Sequence, residues 1–80
     1  MNISLRQLRV FEAVVRHMSY TRAAEELHQT QPAVSMQVRQ LEEEVGLALF
    51  EKLGRNISLT EAGRELYPYC QGINRSLREL

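Results

Sequence analysis

Eighty residues with ten basic and ten acidic side chains, 44% of them hydrophobic and 25% charged, amount to one small domain, marginal for burying a core without a partner. That composition excludes a disordered tail, and with no apolar run near membrane-spanning length it excludes a bilayer-spanning chain. The cancelled charge excludes a broadly basic coat for nucleic acid, so any DNA face must be local.

In chain order, Ser4 followed by Gln7 forms a capping-box pattern, and Leu8, Phe11, Val15 and Met18 continue it at helical spacing. The pattern predicts a first helix of about fourteen residues ending near His17, with one apolar stripe and mostly solvated charges. In the next helix Ala23, Ala24 and Leu27 share a face, and the two alanine methyls allow close approach of another helix. The connection spans only His28 to Thr30 before Thr30 caps a third helix with Pro32 in its first turn. Two helices joined so tightly must cross, as in a helix-turn-helix, here about residues 20–39.

That third helix has two unlike faces. Val34, Val38, Leu41 and Val45 form a buried stripe, and the opposite face carries Pro32, Met36, Arg39 and Gln40 with Ser35 beside them. Glu42, Glu43 and Glu44 crowd its C-terminal half. A helix entering the major groove by its N-terminal end would thus offer neutral hydrogen-bonding groups and one arginine to bases, with its carboxylates away from phosphate.

Gly46 is placed to stop this helix at a positive φ. The runs Glu51 to Leu53 and Ile57 to Leu59, around a Gly54-Arg55-Asn56 turn, read as a hairpin, and a hairpin beside a helix-turn-helix is a wing. Arg55 at its tip is in reach of a phosphate or a narrow minor groove. Thr60 caps a last helix with Glu61 in its first turn, and Leu66, Cys70, Ile73, Leu77 and Leu80 recur as a heptad seam. Nothing in the chain is left to cover that seam, so it is expected to pair two protomers, although it could instead fold back on the domain. Pro68 lies inside this helix and is expected to bend it.

The fold class expected is mainly α: a winged helix-turn-helix of three helices plus a small hairpin over residues 1–59, then a long linker helix over 60–80. Because the chain stops on a seam residue, it is expected to be the N-terminal piece of a longer protein. Residues 1–40 hold a surplus of two positive charges and residues 41–60 a deficit of two. A local DNA face and moderate affinity per protomer follow.

The segments LRQLRVFEAV, SYTRAAEELH, TQPAVSMQVRQLEEEVG and LFEKLGRNISLTEAG, in this order, resemble the N-terminal DNA-binding domain of LysR-type transcriptional regulators across essentially the whole chain. The resemblance implies a bacterial winged helix-turn-helix regulator that dimerises through the linker helix. It also implies tetramers of the intact protein and a separate C-terminal domain sensing a metabolite effector, with no cofactor in this chain. Carried over by position, Gln31, Pro32 and Ser35 match residues that contact base edges, Arg22 and Thr30 match positions near phosphates, and Arg55 matches the wing arginine. The chain departs from the family at Met36, where many members carry arginine, which exchanges a guanine reader for an apolar contact to a thymine methyl. It departs again at Asn56, where many have a second wing arginine. Within the family, RQL, VRH, RAAEELH and TQPAVSMQV most resemble regulators of the Calvin-cycle, or RuBisCO, operon. The expected partner is then double-stranded DNA with an interrupted palindrome.

Plainer readings stand beside these. Gln31, Ser35 and Arg39 alone would be a solvated face, Arg55 a loop residue and Met36 a gap-filler. A winged helix can also serve as a protein-protein or dimerisation module without sequence-specific DNA binding. His17 and His28 lack neighbours at metal spacing, and Cys70 lacks a base partner. With no nucleophile motif or phosphate loop, an enzyme is not expected. One cysteine and no basic, apolar leader point to a reducing cytoplasm.

Overall fold

Four hydroxyl residues start the four helices: Ser4, Ser19, Thr30 and Thr60 each accept a hydrogen bond from the backbone N–H three residues on, at 3.1 to 3.2 Å. In this computed structural model, which describes residues 2–80, the order is α1 (Leu5–His17), α2 (Tyr20–Leu27), α3 (Gln31–Val45), β1 (Phe50–Leu53), β2 (Asn56–Leu59) and α4 (Glu61–Arg78). The Ser4–Gln7 capping box is complete in both directions. Pro32 sits in the first turn of α3, and Gly46 ends that helix at φ 82° as its position predicted. Met18 (φ 48°) and His28 (φ 56°) make the left-handed stops of α1 and α2 without glycine.

The core is built around α1, which packs against α2, α3 and α4. Val10, Phe11, Ala13 and Val14 are all at most 1% exposed, so α1 is covered on far more than the one stripe expected. A helix surrounded by three others has no solvated side along its middle. Even Glu12 is buried, with its charge matched by Arg16 at 2.6 Å, where solvated charges were expected. Ala23 and Ala24 lie in the close contact between α2 and its neighbours, and Val34, Val38 and Leu41 form the buried stripe of α3.

The hairpin pairs Phe50 with Leu59 and Leu53 with Asn56. Asn56 therefore belongs to β2, and the turn is Gly54-Arg55 alone, because Gly54 at φ 64° permits a two-residue connection. Phe50 anchors the hairpin to the body, 5.4 Å from the Phe11 ring and 5.8 Å, edge-on, from that of Tyr20. Helix α4 runs unbroken through Pro68, which stands on its exposed side.

The heptad seam of α4 is divided. Cys70 is fully buried in the chain's own core, with Asn74 beside it and Leu66 packed against it. Burial lifts the Cys70 thiol to about 11. Its surface is thus taken by this chain and is not offered to a second helix. Ile73 (36% exposed) and Leu80 (101%) face outward, but Leu80 lies past the end of the helix at Arg78 and cannot continue a helical stripe. The physical reason is the direction of the covered arc: at 100° per residue Leu66, Cys70 and Asn74 lie within about 80° on the side facing the body, and Tyr69 and Ile73 fall outside it.

Candidate nucleic-acid interface

The N-terminal half of α3 is held clear of the body by its own valines. Val34 and Val38 point into the core, which leaves Gln31, Pro32, Met36 and Arg39 exposed and Ser35 half-buried on the other side. No acidic residue stands in the first turn, so the positive end of the helix dipole is not neutralised. Gln31 Nε2 donates to Ser35 Oγ at 2.9 Å. That bond occupies one amide proton and leaves the Gln31 carbonyl and its second proton free, the pair needed to read an adenine edge. Thr30 is engaged as the cap through Ala33 N, with its hydroxyl proton still available to an anion.

Between α3 and the hairpin lies a cleft of about 320 Å³ lined by Gln31, Ser35 and Arg39 on one side and Lys52 and Ile57 on the other, with Tyr20 at its base. Arg22, on the first turn of α2, and Arg55, on the hairpin turn, are exposed and lie outside this cleft. The structure therefore brings the base-reading candidates together on one helix face and places Arg22 and Arg55, the two arginines expected at the DNA backbone or minor groove, on separate elements.

Three residues beside this face escaped the sequence reading. Lys52 lies in a strand whose alternation puts it on the same side as Phe50, one step beyond the core, where it borders the cleft. Tyr20 contacts Phe50, and burial first, then the charge of Glu42, raises its phenol to about 12, so it stays a neutral hydroxyl. Glu42 is not one of a solvated acidic run. Its Oε2 accepts from Leu49 N at 2.7 Å and from Phe50 N at 3.4 Å.

Away from this face, the C-terminal end of α1 is tied to α2. Arg16 donates to Glu12 at 2.6 Å and to Glu26 at 2.9 Å, and His17 Nε2 lies 2.7 Å from Glu26. The hydrogen bond from Arg16, and after it that from His17, lower the Glu26 carboxyl to about 2. Its contribution to stability is therefore complete above the ordinary carboxylate range and is lost as pH falls toward about 2. The effect is modest because Glu26 is 38% exposed. Across that acid window the thermal midpoint, followed by circular dichroism, should fall more steeply for the wild type than for Glu26→Gln; equal slopes would remove the pair as a source of stability. Among the described residues no cluster of three metal-ligating side chains occurs, and no helix is long and apolar enough to cross a membrane.

On the outward flank of α4, Tyr69 (72% exposed), Ile73 and Leu77 line an open apolar groove with Pro68 and Gly72. Of the five seam positions expected from the sequence, this groove includes Ile73, Leu77 and Leu80 and excludes Leu66 and Cys70.

Set beside known proteins, residues 5–64 match the family model described as bacterial regulatory helix-turn-helix protein, lysR family. The chain is 71% identical over 80 residues to the RuBisCO operon transcriptional regulator of Allochromatium vinosum, covering all of this chain and 26% of that protein. It is 56% identical over 71 residues to the HTH-type transcriptional regulator CfxR of Cupriavidus necator, covering 89% of this chain and 22% of CfxR. The chain thus spans about a quarter of the length of these curated relatives. The BenM DBD/catB site 1 DNA complex superposes at a TM-score of 0.90 with 38% identity, over 95% of this chain and 85% of that one. For the CbnR DBD–DNA complex the TM-score is 0.87 at 33% identity, over 95% and 87% of the two chains.

Proposed function

Since the chain belongs to the LysR family of bacterial helix-turn-helix regulators, as its winged helix-turn-helix DNA-binding domain, we propose that it reads an interrupted palindrome as a homodimer and controls carbon-fixation genes of the RuBisCO operon. Its relatives are transcription regulators rather than enzymes. The observation that carries the reading is the N-terminal face of α3, where Gln31, Pro32, Met36 and Arg39 are exposed beside a half-buried Ser35 while Val34 and Val38 of the same helix are buried. The likeness to two DNA complexes supports it, and the 71% identity to a RuBisCO operon regulator supports the operon.

In this mechanism α3 enters the major groove by its N-terminal end. Gln31 offers a carbonyl and a proton to a base edge while Ser35 holds the amide in place. Met36 meets a thymine methyl, and Arg39 lies further along the groove. Arg22 and the Thr30 hydroxyl bind phosphates on one flank, and Arg55 grips the backbone or minor groove on the other. Helix α4, on the 60–80 segment, pairs two protomers along Tyr69, Ile73 and Leu77 and so sets the spacing of the half-sites. The intact regulator is a cytoplasmic tetramer whose further domain senses a metabolite.

Gln31→Ala tests the base-reading role. It should cost about 1–3 kcal/mol on the operator and little on random DNA of equal length, measured by fluorescence anisotropy at fixed salt. Equal losses on both would reduce Gln31 to a backbone contact. Footprinting of the wild type on fragments upstream of the carbon-fixation genes tests the operon assignment, and an absence of protection there would end it.

A further inference from the structure

We propose that Glu42 is a positioning residue for DNA binding: standing on the recognition helix, its carboxylate holds the start of the wing and so sets where Lys52 and Arg55 meet the duplex relative to Gln31. The proposal rests on the DNA reading above. Its geometric basis is the pair of bonds from Leu49 N and Phe50 N to a single oxygen, Glu42 Oε2, at 2.7 and 3.4 Å.

Those bonds are placed where they control the hairpin. Leu49 is fully buried, and its carbonyl accepts from Thr60 N at 3.0 Å while the Thr60 hydroxyl donates to Ala48 O at 2.6 Å. The root of the hairpin is therefore gripped from the α4 side through Thr60 and from α3 through Glu42. Beyond the root, α3 and the hairpin diverge around the cleft that Gln31 and Lys52 line. Phe50 packs this root against Phe11 and Tyr20, and Glu42 is the hydrogen-bonded tie from α3 to the entering backbone, so it helps to fix the angle between the helix and the wing tip.

The residue type and its place on the helix fit this task. Two converging N–H groups at the entry to a strand need an acceptor with more than one lone pair, and a carboxylate oxygen serves both. Glu43 and Glu44 next to it are exposed; Glu44 instead accepts from Asn2 N at 3.0 Å. Arg39, one turn earlier on α3, borders the same cleft as Glu42, so the carboxylate also sits beside a residue proposed to meet DNA.

A double-mutant cycle decides it, using this chain and the DNA fragment protected in footprinting, with circular dichroism melting to confirm folding. Glu42→Ala should weaken binding about fivefold, the worth of one net hydrogen-bonded contact, and Arg55→Ala should then cost nothing further. Gln31→Ala should remain additive with Glu42→Ala, because the helix still docks. Glu42→Gln, which keeps a carbonyl oxygen at the site, should restore the separate effect of Arg55→Ala. If Glu42→Ala does not fold, Glu42→Asp keeps the charge but withdraws the acceptor, and it should show the same non-additivity. Full additivity of Arg55→Ala with Glu42→Ala, or with Glu42→Asp where the alanine variant does not fold, overturns the proposal while leaving the DNA reading intact. Absence of any footprint from the wild type overturns that reading instead.

Discussion

Ile73→Asp should leave the domain folded, dissolve the proposed dimer and lower affinity for a two-half-site operator by about 10²- to 10⁴-fold, the gain that linking two binding events ordinarily provides. Ile73 lies on the outward flank of α4 between Tyr69 and Leu77, and at 36% exposure it makes little of the domain's own core. A carboxylate there would have to be desolvated opposite its own copy across a two-fold axis, which no isologous interface tolerates without a counter-charge. Affinity for a single half-site should hardly change, since α3 is untouched. Analytical ultracentrifugation reads the first effect, and gel shifts on one- and two-half-site DNA read the second. Cys70→Ala is the informative contrast: it removes a side chain with no exposed surface, so it should lower the melting temperature and leave the dimer in place. A dimer surviving Ile73→Asp would move the protomer contact off this flank.

Gly63→Ala should be among the most damaging single substitutions to folding, costing about 1–3 kcal/mol or more by overpacking. A methyl at this position would press into the carbonyl oxygen of Leu49 and come within 2.6 Å of Leu59 Cδ2. The leucine side chain of β2 can turn aside. The Leu49 carbonyl cannot, because it accepts from Thr60 N while the Leu49 amide is held by Glu42. The added methyl must therefore push α4 away from the hairpin root. Gly72, on the same helix, has nothing within 4 Å of an added methyl, so Gly72→Ala should raise the stability of the domain by up to about 1 kcal/mol through helix propensity. Thermal unfolding of both variants checks the pair, and a Gly63→Ala midpoint equal to wild type would mean that the root of the hairpin yields.

The capping hydroxyls Ser4, Thr30 and Thr60, the Pro32 start and the Gly46 stop were legible because a cap acts on a backbone N–H three residues away. The unlike faces of α3 were legible for a similar reason, since helical spacing alone separates Val34, Val38 and Leu41 from Pro32, Met36 and Arg39. Glu42 was not. In sequence it is one of three adjacent glutamates, and only the return of the chain at Leu49 and Phe50 gives its carboxylate two partners. Lys52 carried a weak signal in its alternation with Phe50, but nothing in the run shows that α3 borders that side of the strand.

What the sequence determined by itself was therefore the set of elements, their order and the outward face of the recognition helix, because periodicity and capping operate within a turn or two of chain. The tertiary structure alone decided which flank of the α4 stripe the body covers, at Leu66, Cys70 and Asn74, and which it leaves open, at Tyr69 and Ile73. A heptad records only that a stripe is apolar. Whether α1 or another protomer lies against each part of it depends on distances between residues far apart in the chain, and packing settles those.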